Sequence, residues 1–447
     1  MEENTLGSYK PEAVDPEGKP VAFDVEGPDA DKFTAFEAGS FQFKLPPNFE
    51  SPRDANRDNV YELAIVADDG ETKTRLNLRI MIRDVADSVH IRRVGTGFAD
   101  VVSVNAIPGT DALLIAQKDG RVFRFNPASA SRTLLFRVDD MLMDGGIGLL
   151  GASAAPGFGK DGALLVTFIN NDGNLWLHRY APDSLGNYVG SSGPMLSISA
   201  PNRQRPGGWI GLSSDDELYA LLSADGKSGA ANPDGAVSKV LRLVRNSDPN
   251  AGSGQPFYVA SPHNAMAAST SMAEGLRNPW GGAFHSGNFL FFDRGSKNPD
   301  EVNILGNIDD PQEGYVNFDN GYSCRDCNIN VFIPGRASPN LILEKDLLVS
   351  ENNILIGGVV FTGAQSSLAG HYLLADAVDG TMLSVDVDDL IALGEGGSIL
   401  RPWNLLNRTG DFIPDTGTLG PVRAFGKDRA GRVYLADAEG QLFSINE

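Results

Sequence analysis

The sequence predicts an all-β protein, with a small β-sandwich over residues 1–88 followed by a six-bladed β-propeller over residues 89–447. Three observations lead there. Short apolar runs bounded by Asp, Gly, Pro or Asn recur along the whole chain, the pattern of strands between tight turns. The 447 residues include 51 Gly and 26 Pro, enough to supply those turns. From residue 90 a unit of strand, Asp/Gly turn and strand occurs six times with long loops between units, the rhythm of propeller blades.

In the first 88 residues, strands are expected at Val21–Val25, Phe41–Phe43, Tyr61–Val66 and Arg75–Ile82, each ended by turn residues. The propeller units then follow in order. They are Ala112–Phe125; Ala163–Phe168 with Asn174–Tyr180; Glu217–Leu222 with Lys239–Leu243; Asn288–Phe292 with Glu301–Leu305; His371–Asp376 with Thr381–Val385; and Arg432–Asp437 with Gln441–Ile445. Each unit can supply two strands of a blade. Helical periodicity is confined to Asp388–Leu393, which reads as one short helix in a loop.

The formal net charge is −21 and the pI is near 4.6. Such a surface repels phosphate backbones and anionic lipid, so nucleic acid and anionic membranes are poor partners. No apolar run is long enough to span a bilayer. The start, Met1-Glu-Glu-Asn, is too polar for a signal peptide, and the chain is expected to be a piece of a longer one. The two cysteines, Cys324 and Cys327, form one CxxC pair. A local disulfide and free thiols are both compatible with that spacing; a zinc site would need two more ligands.

Two regions carry candidate chemistry. Around Gly275–Phe284 and Asp293–Ile304, loops rich in polar groups flank the apolar strand Asn288–Phe292. There Arg277 offers a planar fork of donors for a carboxylate, Gly295 leaves room for backbone carbonyls to approach a ligand or ion, and Asp300 and Glu301 can accept from loop amides. A tied strand corner would use the same residues. In the first domain, acidic residues outnumber basic ones 19 to 10 and gather at strand ends.

Several motifs, in order, resemble those of the glucose/sorbosone dehydrogenase family, the soluble quinoprotein sugar dehydrogenases. They are Gly146–Phe158, Gly207–Leu212 with Glu217-Leu-Tyr219, Gly275–Gly281 with Asp293-Arg-Gly295 and Asp300–Asn303, Ile356–Gly363, and Phe425–Tyr434. The resemblance covers roughly residues 88–447. It implies a six-bladed propeller with a site at the channel mouth that holds pyrroloquinoline quinone (PQQ) over calcium, and a histidine base. Carried over position by position, Arg277 and Asn278 fall on cofactor contacts and Arg423 near a third. The carbonyls of Gly295 and Ser296 fall on calcium contacts. The base position, shortly before the Gly207-Gly208 pair, is Arg205, whose pKa is too high for an ordinary base. A lysine that some members place beside Asp376–Gly380 is absent. The resemblance therefore implies a carbohydrate- or acidic-glycan-binding relative without the general base, or else an active aldose dehydrogenase using another base.

The first domain resembles a bacterial cadherin-like repeat, whose end carboxylates bind calcium between neighbouring modules. That resemblance places Glu3, Glu50, Asp84 and Asp87 at the end facing the propeller, and Asp15, Glu17 and Asp68 at the end facing another module. Asn48 and Ala86 stand where that family often has Asp and Asn ligands. Together the two resemblances imply a secreted or cell-surface bacterial protein, with sugar ligands and neighbouring modules as partners.

Overall fold

A computed structural model describes residues 1–35, 40–85, 87–143, 147–199, 207–223, 238–248, 250–253, 255–262, 271–276, 278–293, 300–306, 316–317, 341–343, 354–363, 367–395 and 404–445. The fold is all-β and propeller-like, with helix among the described residues confined to short segments such as Val387–Glu395, close to the helix expected at 388–393.

In the N-terminal region the strands Ala22–Glu26, Val60–Asp68 and Lys73–Met81 form one antiparallel sheet, with the long strand central. Phe33–Ala35 pairs with Phe41–Phe43 in a second, two-stranded sheet. The first of these two short strands was not expected, because Phe33-Thr-Ala35 carries one large apolar residue where Phe41-Gln-Phe43 alternates. Phe33, Phe43, Tyr61, Leu63, Ile80 and Ile82 pack together between the sheets. The Phe43 ring meets the Tyr61 ring edge-on at 4.8 Å, a geometry favoured by the ring quadrupoles.

Among the described residues after Val89, the strands form sheets of four to six members. The first strand of each lies nearest the axis: Val101–Ala106, Leu149–Ala154, Gly207–Leu212, Pro279–His285, Leu355–Val360 and Val422–Lys427. Each packs on the next, and the last packs on the first, so the inner strands close a ring. The second strands read as nearly continuous apolar runs, such as Leu113–Gln117, Leu218–Leu222 and Val433–Asp437, and every residue of these three is buried. Alternation is lost there because each sheet is covered on both faces by its neighbours. The cores lie accordingly between successive sheets. Leu114 and Val122 meet Leu164 and Val166; Tyr219 and Leu221 meet Phe289 and Phe291; Tyr434 and Leu442 meet Leu113 and Ile115. The ring is also closed through the chain. Val89–Gly95 pairs antiparallel with Leu442–Ile445, the last described strand, and so joins the sheet built from the chain's C-terminal strands.

Every inner strand carries a register shift against its partner, between Gly207 and Trp209 and between Trp280 and Gly282 for example. Such bulges bend the strand and re-aim its ends toward the axis. They explain two of the glycine pairs in the family motifs. Gly208 has φ of +107°, and a Cβ there would run into Leu150. Gly281 has φ of +65°, and a Cβ would lie 2.7 Å from the Gly357 carbonyl on the next inner strand. Glycine is needed where the backbones crowd around the channel.

Candidate functional site

The end of the channel where the inner strands begin, here the upstream mouth, is where the sequence places the cofactor contacts. Asn278 is buried there. Its backbone N–H donates to Asp293 Oδ1 at 2.6 Å, and its Oδ1 accepts from the Gly207 N–H at 3.3 Å. The side chain thus ties two neighbouring inner strands together and has its Nδ2 group left as a donor. Arg423, the second residue of its inner strand, is exposed at the same mouth. Arg205, Arg277, Gly295 and Ser296, and the cysteines Cys324 and Cys327, lie outside the described residues.

The described histidines are elsewhere. His90 is on the strand that closes the ring. His178 is buried on the third strand of its sheet and stacked on Trp176. His371 bonds Ser384 Oγ at 3.0 Å through Nδ1. His285 ends an inner strand, at the opposite mouth. Burial lowers the pKa of His178, His285 and His371, as expected for imidazoles kept neutral in apolar surroundings. His263 lies outside the described residues.

A second cluster forms where the N-terminal region meets the ring. Oxygens of Glu3, Glu50 and Asp87 lie within 4.8 Å of one another. Among the described residues this is the one group of three or more acidic, His or Cys side chains so arranged. Glu3 accepts from the backbone N–H of Phe49 at 2.7 Å and of Val85 at 2.6 Å, which fixes its carboxylate. Asp87 Oδ2 accepts from Asn4 Nδ2 and from Arg408 Nη1, each at 3.0 Å. Asp87 is 8% exposed, yet its Oδ1 has no hydrogen-bond donor, and neither does the buried Glu50 Oε2.

The ring contributes its own charges. Asp411 is fully buried and accepts from Asn48 Nδ2 at 2.6 Å, with Arg408 Nη1 at 3.4 Å from its other oxygen. Burial, reinforced by neighbouring Glu3 and Asp411, pushes Glu50 up to about 7. Burial and the Asp87 charge push Asp411 up to about 7. Four carboxylates thus face one guanidinium, and such a cluster needs protons or a cation to balance it. Calcium takes six to eight oxygens at about 2.3–2.6 Å. The two carboxylate oxygens without donors and the oxygen spacing fit that chemistry.

Of the four residues expected at this end, Asp84 is exposed and outside the group. At the far end, Asp15, Glu17 and Asp68 are not drawn into a comparable cluster. Asp15 Oδ1 accepts from the Lys19 N–H, and Asp68 pairs with Lys73 at 3.0 Å. Each of these two carboxylates is used by its own turn or strand neighbour. Asn48, which stands where a ligand Asp was expected, is a donor instead. Its Nδ2 reaches both Asp411 and the Asn407 carbonyl, the latter at 3.1 Å. Sequence reading missed Asn407, Arg408 and Asp411. The polar run Asn407-Arg-Thr-Gly-Asp411 between two short strands was the available signal.

The Glu217-Leu-Tyr219 motif proves to be structural. Glu217 pairs with Arg242, which is 1% exposed, and accepts from Ser261 Oγ at 2.7 Å. The Arg242 guanidinium lies 5.5 Å from the Tyr219 ring centroid.

Residues 99–310 match the family model described as Glucose / Sorbosone dehydrogenase. Among solved structures, an oxidoreductase described as a glucose dehydrogenase from Thermus thermophilus aligns at 18% identity with a TM-score of 0.58, covering 80% of this chain and 100% of that one. The PQQ-bound aldose sugar dehydrogenase of Streptomyces coelicolor aligns at 17% identity and TM-score 0.57, covering 79% and 97%. The apo form of the soluble aldose sugar dehydrogenase of Escherichia coli aligns at 15% identity and TM-score 0.53, covering 80% and 99%. No curated protein matches the chain. Residues 99–310 are thus a glucose/sorbosone dehydrogenase-like region, set in the fold shared with soluble sugar dehydrogenases.

Proposed function

We propose that this chain is an extracellular, calcium-binding and carbohydrate-binding relative of the PQQ-dependent sugar dehydrogenases, in which Arg205 replaces the general-base histidine. It comprises a cadherin-like sandwich (residues 1–88) and a six-bladed propeller (residues 89–447). The observation that carries the loss of the base is the position of the histidines: none of the four described ones stands at the upstream mouth beside Gly207 and Asn278. Without a positioned base, proton removal from a sugar hydroxyl loses about 10²–10⁴ in rate.

If PQQ is bound, Asn278 and Arg423 would hold it with Arg205 and Arg277, and the quinone would supply the hydride acceptor. The ligand in a non-catalytic role is a sugar or an acidic glycan, because Arg423 lies at this mouth and the family resemblance puts Arg205 and Arg277 beside it, in an otherwise acidic protein. At the junction, Glu3, Glu50 and Asp87 are the proposed calcium ligands, and the ion would stiffen the sandwich on the propeller. No helix among the described residues is long and apolar enough to cross a membrane.

The alternative is an active PQQ- and calcium-dependent aldose dehydrogenase with another base. The family match over residues 99–310 favours keeping it. Dye reduction with aldoses after adding PQQ and calcium decides between them. Baseline rates are expected; clear turnover would overturn the binding-only role.

A further inference from the structure

The inner strands end at a second mouth, and a cavity of about 750 Å³ opens there. The downstream halves of all six inner strands contribute to its lining, so it lies on the channel axis, opposite Asn278 and Arg423. Arg423 and Lys427 make the separation concrete. They stand four residues apart on one strand, about 13 Å at the usual rise. Lys427, in the Phe425–Tyr434 motif, lines the cavity with Trp209, Phe284, Phe425 and Asn105.

The carboxylates of this mouth are already engaged. Asp428 accepts from the Arg432 N–H at 2.9 Å and from the Tyr434 hydroxyl at 3.0 Å. Asp216 accepts from the Gly157 N–H at 2.7 Å. The Lys427 ammonium has no hydrogen-bond or ion-pair partner among the described residues. Its charged neighbours include another cation, Arg429, on the same rim. A half-buried, unpaired ammonium beside aromatic rings asks for an anion with a body that packs on those rings.

We propose that the downstream mouth is a second ligand site, for a small polyhydroxylated carboxylate of the sugar-acid class, with the carboxylate on Lys427 and the carbon chain against Trp209 and Phe284. The volume suits such a ligand, since pockets for small molecules span about 300–1,000 Å³. Burial lowers Lys427 to about 8, in keeping with an amine that lacks a carboxylate beside it. The amide of Asn105 already donates to the Ala152 carbonyl at 2.7 Å, which leaves its oxygen to accept from a ligand hydroxyl. The site stands apart from the quinone reading, because it shares no residue with the upstream mouth.

The test is calorimetric titration of the whole chain with D-gluconate, with D-glucose as the uncharged comparator. Saturable gluconate binding is expected, with glucose at least tenfold weaker and with Lys427→Met weakening gluconate at least tenfold. A second measurement does not depend on a folded variant. Reductive methylation of the native protein, read by peptide mass spectrometry, should be slowed by gluconate at Lys427 and not at exposed lysines such as Lys73. Absence of gluconate binding, equal binding of glucose, unchanged affinity in Lys427→Met, or unprotected Lys427 would each overturn the site.

Discussion

Replacing Glu50 by Gln tests the junction most sharply, because metal-bound and metal-free protein should respond in opposite directions. Glu50 has a buried oxygen without a donor and lies beside Glu3 and Asp411. In EDTA at pH 8 the wild-type carboxylate is charged and crowded by like charges. Glu50→Gln removes that charge and should leave stability equal or higher. With calcium the wild type should gain RT ln(1 + [L]/Kd), about 2.7 kcal/mol at a hundredfold excess over Kd. At about 2–4 °C per kcal/mol for a domain of 150–250 residues, and less for a larger one, this is a rise of several degrees in Tm. The variant should gain much less. The pH dependence has a definite sign. The folded pKa, about 7, lies above the ordinary carboxylate value, so between roughly 4.5 and 7 the folded state holds a proton that the unfolded chain has released. In EDTA, stability from this group therefore falls as pH rises through that window. Calcium competes with the proton, so its stabilisation should be greatest above pH 7. Differential scanning calorimetry over pH 5–8, with calcium or EDTA, measures all of this. Equal melting of the wild type with calcium and EDTA at pH 8, or an undiminished calcium response in Glu50→Gln, would refute the reasoning.

Asn48→Asp sets a carboxylate against Asp411, replacing a 2.6 Å hydrogen bond by like charges, and should cost about 1–3 kcal/mol in calcium-free melting. Glu217→Ala breaks the buried ion pair with Arg242 and should cost about 3–5 kcal/mol by chemical denaturation; a loss under about 1 kcal/mol would show that the pair is dispensable. Arg205→His should weaken binding of an acidic oligosaccharide by calorimetry. The same variant should leave aldose oxidation at baseline with added PQQ and calcium, and measurable turnover would show that the missing histidine was the sole defect.

Much of the architecture is written locally. Apolar runs such as Asn288–Phe292 and Val433–Asp437 mark strands that must be covered on both faces, and the short helix expected at 388–393 falls within Val387–Glu395. Glu3, Glu50 and Asp87 are legible as turn-end carboxylates and are singled out by the resemblance to a cadherin-like repeat. The sequence alone, however, could not tell a shared cluster from separate turns. Asp15 and Asp68 look like Glu3 and Asp87 in one dimension. Only three-dimensional packing gives the first two local donors and leaves oxygens of Glu50 and Asp87 without any. Nor could it show that Asn48 would face Asp411, 363 residues away, or that Arg408 would sit among the acids. Lys427 was legible only as part of a strand motif. Its place at the far mouth of the channel follows from ring closure, which aligns the ends of six strands from distant parts of the chain. Hydrophobic patterning operates over a few residues and sets the elements. The charge balance of a buried site depends on which distant groups share one volume, and that was decided by the tertiary structure.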